Sequence, residues 1–254
     1  MKKRVVVAVL AVFALGGCSK PAALAASGPP AASAAPAASV VAVAQAAPPP
    51  TMADWTEALE SLYKQTKRKD GEKDGVTSSF AHFNNFPDAA KRQPNAFAAE
   101  KRDAFRKVRF YTPGVQLEID TSLETYISLR DGKLPVLVMK PYYFGPNGWL
   151  FMNQVAVMAD GEVVLEREFK NLEVDTDQLP GGVTERYDFK ATPEDIEGLR
   201  KIRPDSKIVI RISGKKGYVT VDKFMTGQFR DNIQDALRMY DAMTAALSPH
   251  QPPG

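Results

Sequence analysis

Between residues 115 and 130 apolar and polar residues alternate at almost every position, and this period of two limits the fold more than any other feature of the chain. Val115, Leu117 and Ile119 alternate with Gln116, Glu118 and Asp120. Thr125, Ile127 and Leu129 repeat the device against Glu124 and Arg130, with Asp131-Gly132 as a turn. Successive side chains of a strand point to opposite faces, so such a stretch has one buried and one wet face. Leu134 to Met139 and Trp149 to Met158 are more continuously apolar, as central strands covered on both faces would be. Asp160-Gly161 turns the second of these into Val163 to Phe169. Tight turns join antiparallel neighbours, so the expected scaffold is an antiparallel β-sandwich or meander of about seven to nine strands.

On either side the period becomes helical. Trp55, Leu59, Leu62 and Tyr63 predict an amphipathic helix over 54–65, broken by the charged and glycine-bearing run Lys67 to Gly75. Asn95 is a suitable cap for a second helix running through Phe97, Phe105 and Val108. Later, Thr192-Pro193-Glu194-Asp195 caps a short helix whose far end carries Arg200, Lys201 and Arg203, as the macrodipole favours. Ile208, Ile210 and Ile212 then alternate with Lys207 and Arg211, and Ser213 to Lys216 returns the chain through Tyr218 to Val221. Phe229, Ile233, Leu237, Tyr240, Met243 and Leu247 form the apolar stripe of a long C-terminal helix, which is expected to lie on the sheet. The fold class is therefore α+β, with N-terminal helices and this C-terminal amphipathic helix packed on the sheet. The segment Lys207 to Met243, with Arg211-Ile212-Ser213-Gly214 before its turn and Tyr218 after it, is similar to the C-terminal part of several uncharacterised secreted bacterial β-domains. That likeness carries no functional residue across.

The first eighteen residues have a different logic. Lys2, Lys3 and Arg4 precede an unbroken apolar stretch from Val5 to Leu15, and Leu15-Gly16-Gly17-Cys18 follows at once. The stretch is shorter than the roughly 20 residues that span a bilayer as a helix. Leu15-Gly16-Gly17-Cys18 resembles the lipobox of bacterial lipoproteins. The resemblance implies that residues 1–17 are a signal peptide and that Cys18 carries the lipid. An ordinary signal peptide that happens to contain a cysteine is the alternative. Two or three acyl chains on one residue, at about 0.8 kcal/mol per buried CH2, hold a protein to a membrane durably. In lipoproteins of this kind an Asp after the cysteine favours inner-membrane retention. Ser19 stands there, which points to an outer membrane and a domain facing the periplasm.

From Cys18 to Pro50 the chain is almost wholly Ala, Pro, Ser and Val, which reads as a linker of about 100 Å if extended at roughly 3.1 Å per residue. Residues 51–248 then have the composition of one globular domain, and 249–254 read as a loose tail. The whole chain has 33 Lys plus Arg against 30 Asp plus Glu, but Lys2, Lys3 and Arg4 leave with the signal peptide, so the processed chain has 30 of each. Such balance gives no bulk attraction to nucleic acid. A sole cysteine that is acylated allows neither an internal disulfide nor a Cys/His zinc site.

Residues that could carry chemistry are few. His82 and His250 are the only histidines; Phe80 and Phe83 beside His82 favour a packed ring, and His250 lies in the tail. Ser61-Leu62-Tyr63-Lys64 matches the Ser-x-x-Lys of penicillin-binding enzymes, but their Ser-Asp-Asn and Lys-Thr-Gly companions are missing. Asp70 to Gly75 is laid out like the start of a calcium loop, yet the twelfth position is Ala81; Glu173, Asp175 and Asp177 alternate as a wet strand edge would. No metal or other cofactor is expected. Lys101, Arg102, Arg106, Lys107 and Arg109, interleaved with Phe105, Phe110 and Tyr111, could meet an anionic envelope polymer or lipid head group; the favoured reading is the outer face of the second helix. Three functional classes stay open. The first is a non-enzymatic envelope domain that binds a protein or small ligand, the second a hydrolase using carboxylates such as Glu166 and Glu168, and the third a spacer.

Overall fold

Thr51 opens the first element of the computed structural model, which describes residues 48–83, 96–114 and 120–253, less the side chains of Asp70 and Ala96. The lipobox with Cys18, the linker up to residue 47, the Asn95 cap and the alternation at 115–119 lie outside the described residues. Thr51 N–H donates to Asp54 Oδ2 at 2.7 Å and Asp54 N–H to Thr51 Oγ1 at 3.3 Å, a reciprocal cap that starts α1, Met52–Glu60. Trp55 and Leu59, one turn apart on one face, are its buried residues. The helix ends at Glu60 rather than Gln65, because Tyr63 and Gln65 belong to β1, Tyr63–Lys73. Lys67 to Gly75, expected as a break, is the end of that strand and its turn. Asp74 and Gly75 both have positive φ, 52° and 74°, which suits a two-residue hairpin into β2, Val76–Phe83.

The second predicted helix is not formed. Its place is taken by a hairpin of β3, Ala96–Asp103, and β4, Val108–Pro113. Helical spacing would put Phe97, Phe105 and Val108 on one buried face, but only Val108 is buried. Ala98, Glu100 and Tyr111 are the residues sealed inside. Pairing with β2 and with β5, Ser122–Arg130, overrides the local signal.

The remaining elements are β6 (Val136–Gly145), β7 (Met152–Ala159), β8 (Glu162–Glu168), β9 (Asp175–Leu179), β10 (Gly182–Arg186), β11 (Phe189–Lys190), α2 (Pro193–Arg200), β12 (Ile208–Gly214), β13 (Gly217–Thr220) and α3 (Lys223–Leu247). All strand pairs among the described residues are antiparallel. A large sheet has the order β1-β2-β3-β4-β5-β6-β10-β9, with β11 also on β6, and a small sheet has the order β13-β12-β7-β8. The class is α+β, an open sandwich of antiparallel sheets, with thirteen strands among the described residues where seven to nine are expected. The additions lie in β1 to β4 and in the short strands β9 to β11.

The long helix α3 touches both sheets, through β3 to β6 of the large one and β12 of the small one. Contact on two sides explains why its buried set, which includes Met225, Ala236 and Met239, is wider than one stripe. Phe229, Ile233, Leu237, Met243 and Leu247 of the expected stripe are buried, and Tyr240 packs at the margin. The chain passes from the large to the small sheet through Pro146 to Phe151, held by Glu185 of β10. The Glu185 carboxylate is 1% exposed and accepts the backbone N–H groups of Leu150, Phe151 and Met152 at 2.5, 2.9 and 2.6 Å. Beyond α3, Ser248–His250 form a 3-10 turn in contact with α1, and Pro252 lies against the Gly132 turn.

Candidate functional site

Strand register brings three turns together at one end of the large sheet. Val76 pairs with Asp103 and Val108 with Arg130, so the β1–β2, β3–β4 and β5–β6 turns are neighbours. Ala104 N–H donates to the Gly75 carbonyl at 3.2 Å and Asp131 N–H to the Lys107 carbonyl at 3.0 Å. Asp103 Oδ1 accepts from Arg106 N–H at 2.9 Å, and Lys107 closes the four-residue turn with a positive φ of 52°.

This frame holds Phe105 out. Its side chain is 86% exposed and its ring rests on Gly75, where an added Cβ would come within 2.4 Å of it. The Arg106 side chain beside it is 79% exposed, its Nε 3.6 Å from Asp103. Lys107, Lys101 and Lys73 are also exposed. Arg102 is half exposed and lies 3.8 Å from Asp131. Ion pairs this open to water are worth about 0–1 kcal/mol, so these cations remain free to meet another partner. Four of the five sequence-predicted cations thus gather around one turn, joined by Lys73, which the sequence reading left out. An aromatic ring on a turn, flanked by cations, can lie against an apolar–polar boundary while the charges reach anionic groups.

Arg109 differs. It is 5% exposed and faces the domain interior, so it is no part of that surface. Its Nη1 lies 3.3 Å from Tyr63 Oη and 3.7 Å from Glu100 Oε1, and its Nε pairs with Asp131 Oδ1 at 3.7 Å. Glu100, 1% exposed, accepts from Gln65 Nε2 at 2.7 Å, Ser79 Oγ at 2.9 Å and Tyr63 Oη at 3.4 Å. Tyr63 and Tyr111 hydroxyls are 3.0 Å apart. Burial, then the Glu100 charge, raises the Tyr63 phenol; burial, then Tyr63 and Glu100, raises Tyr111 well above its ordinary value, so both keep their protons. With Glu100 sealed from solvent, the cluster acts on strand pairing rather than on a substrate.

The other candidates stay apart. The Ser61 hydroxyl donates to the Ala58 carbonyl at 2.8 Å at the end of α1, while Lys64 lies exposed on β1. His82 is half-buried with its ring 5.4 Å from that of Phe97, and His250 ends the last 3-10 turn. Glu166 and Glu168 project from β8 into solvent, Glu166 accepting from Gln154 Nε2 at 3.0 Å. Asp175 and Asp177 lie on the exposed edge strand β9, Asp175 3.6 Å from Arg186. Among the described residues no group of three or more His, Cys, Asp or Glu is placed to hold a metal ion, and no helix is long and apolar enough to cross a membrane.

No family model and no curated protein matches the sequence. Among solved structures, that of the MHC-like protein MILL2 is similar at 8% identity over 63% of this chain and 96% of that one, with a TM-score of 0.23. A superposition this loose carries no argument about function.

Proposed function

We propose that this chain is a lipid-anchored cell-envelope protein, held through Cys18, whose β-rich domain is a non-enzymatic binding module that meets an anionic envelope surface with its turn end. The observation that carries the reading is Phe105, 86% exposed between Asp103 and the cations Arg106 and Lys107 and braced on the neighbouring Gly75 turn. A single exposed apolar residue is ordinary; Phe105 is set apart by the cations around it and by a turn fastened through backbone bonds to two others, which presents it without refolding. The Ala/Pro-rich linker gives such a domain the reach to lie on the membrane that anchors it or on a polymer beside it.

The surface is tested with the processed chain carrying Cys18→Ala, so that lipid does not mask contact by the domain, on vesicles containing phosphatidylglycerol and on lipopolysaccharide. A cation near an anionic surface contributes about 1 kcal/mol, so Arg106→Glu, a change of two charges, weakens binding about 30-fold. Phe105→Ser weakens it further, and raising salt acts in the same direction. Unchanged binding by both variants refutes the surface assignment. Stoichiometric recovery of one envelope protein, lost in the same variants, moves the target from lipid or polymer to protein. The anchor is tested separately: labelled palmitate enters the native protein and not Cys18→Ala, and the labelled protein fractionates with the outer membrane.

A further inference from the structure

A cleft of about 500 Å3 lies on the face of the large sheet that α3 leaves uncovered. Its floor is apolar: Val108, Val136 and Val138 from β4 and β6, with Leu134 at one side. The register explains the floor, since Tyr126 pairs with Val138 and Ser128 with Val136, bringing alternate residues of β5 and β6 to this face. Three cations stand on the rim, Arg130, Lys133 and Lys190, all exposed and without an ion pair among the described residues. The one lining carboxylate, Asp188, is engaged, accepting from Tyr126 Oη at 2.9 Å. Burial, then Asp188, pushes the Tyr126 phenol up, so it keeps the proton it donates.

Small-molecule sites are concave, about 300–1,000 Å3, mostly apolar, with a few polar groups that fix orientation. Three unpaired cations against one occupied carboxylate select an anionic head, and the valine floor selects an apolar body. We infer that this cleft binds a small amphipathic carboxylate, its chain on Val136 and Val138 and its head among Arg130, Lys133 and Lys190. The site does not depend on the surface proposed above, from which Arg106 distinguishes it.

The probe is dodecanoate below its micelle-forming concentration, titrated by calorimetry into the processed chain with Cys18→Ala. Two further arms are acetate, which has the head without the chain, and dodecyltrimethylammonium, which has the chain with the opposite charge. Dodecanoate binds one to one, and the other two bind at least about tenfold more weakly. Arg130→Glu and Lys190→Glu replace exposed side chains, so the fold is retained, and each weakens dodecanoate about tenfold. Val136→Thr keeps the shape of the floor and weakens it by making the floor polar. Arg106→Glu leaves it unchanged. Absence of dodecanoate binding, equal binding of the three probes, or full affinity in Arg130→Glu and Lys190→Glu overturns the assignment. Saturation at many molecules per chain does so too, since it marks detergent-like adsorption.

Discussion

Replacing Glu185 by glutamine changes one atom and weakens the clasp between the sheets. In the native chain Oε1 accepts the N–H groups of Leu150 and Phe151 and Oε2 that of Met152, with the carboxylate 1% exposed. A glutamine can present its carbonyl to the first pair, but its amide then faces the Met152 N–H, a donor against a donor. Two charge-assisted bonds become neutral ones, at a cost of about 1 kcal/mol each, and the third is lost with a buried donor unsatisfied, about 1–3 kcal/mol. The sum, about 3–5 kcal/mol, is a large part of the roughly 5–15 kcal/mol by which domains are stable. In a domain of this size it lowers Tm by roughly 6–20 °C. Urea unfolding followed by tryptophan emission reads it well, because Trp149 stands in the clasped segment and Trp55 is fully buried on the inner face of α1. Glu185→Ala, which removes every acceptor, is at least as damaging. A Glu185→Gln variant within 1 kcal/mol of native would refute the reasoning, since the three N–H groups would then have another acceptor.

Three further outcomes rest on single contacts. Gly198→Ala improves helix propensity by about 1 kcal/mol. Its Cβ would nonetheless meet the Val164 carbonyl oxygen of β8 at 1.9 Å, so α2 must lift and a net loss of about 1–2 kcal/mol is expected in urea; a gain counts against the close packing of α2 on β8. Arg109→Met leaves Glu100 buried without its cation and costs about 3–5 kcal/mol, whereas Arg109→Met with Glu100→Gln recovers much of it. Additive losses in that cycle contradict the coupling. Asp160 is held below the ordinary 3.8 by the Lys207 N–H, then by Ser206 and Arg203. Its folded pKa is depressed, so its contribution is present above 3.8 and is lost as pH falls through the folded value. The stability gap between native and Asp160→Asn therefore stays constant near neutrality and closes in acid; a gap that widens in acid opposes this sign.

Strands β5 to β8, β12 and β13 and helices α2 and α3 were legible because their signals are local: alternation along one strand, Asp-Gly at a turn, Thr-Pro-Glu-Asp at a cap. Strands β1 to β4 were not, because their inward positions carry polar residues whose partners are far along the chain. Gln65, Ser79, Glu100 and Arg109 read as wet until Glu100 is seen to accept from Tyr63 and Ser79, 37 and 21 residues away, and Arg109 to lie against Tyr63, 46 away. Phe97, Phe105 and Val108 imitated a helical repeat by chance of spacing. β9 has every residue exposed, so only the alternation of Asp175 and Asp177, that of a wet strand edge, hinted at it.

The same register decides what the basic run can do. Along β4, Arg109 alternates with Val108 and Phe110 and turns inward, where Glu100 and Asp131 neutralise it; Arg106 and Lys107 sit in the turn, beyond the alternation, and stay in water. A scan that replaced all five cations would therefore mix two effects. Arg109 variants lower binding only as far as they lower the folded fraction, and the loss disappears when signals are normalised to folded protein. Arg106 variants lower binding at constant stability, because the pair they break is exposed and worth about 0–1 kcal/mol. If Arg109→Met instead kept native stability and lost vesicle binding, Glu100 would not be its partner, and the inward assignment of β4 would fail along with the surface built on it.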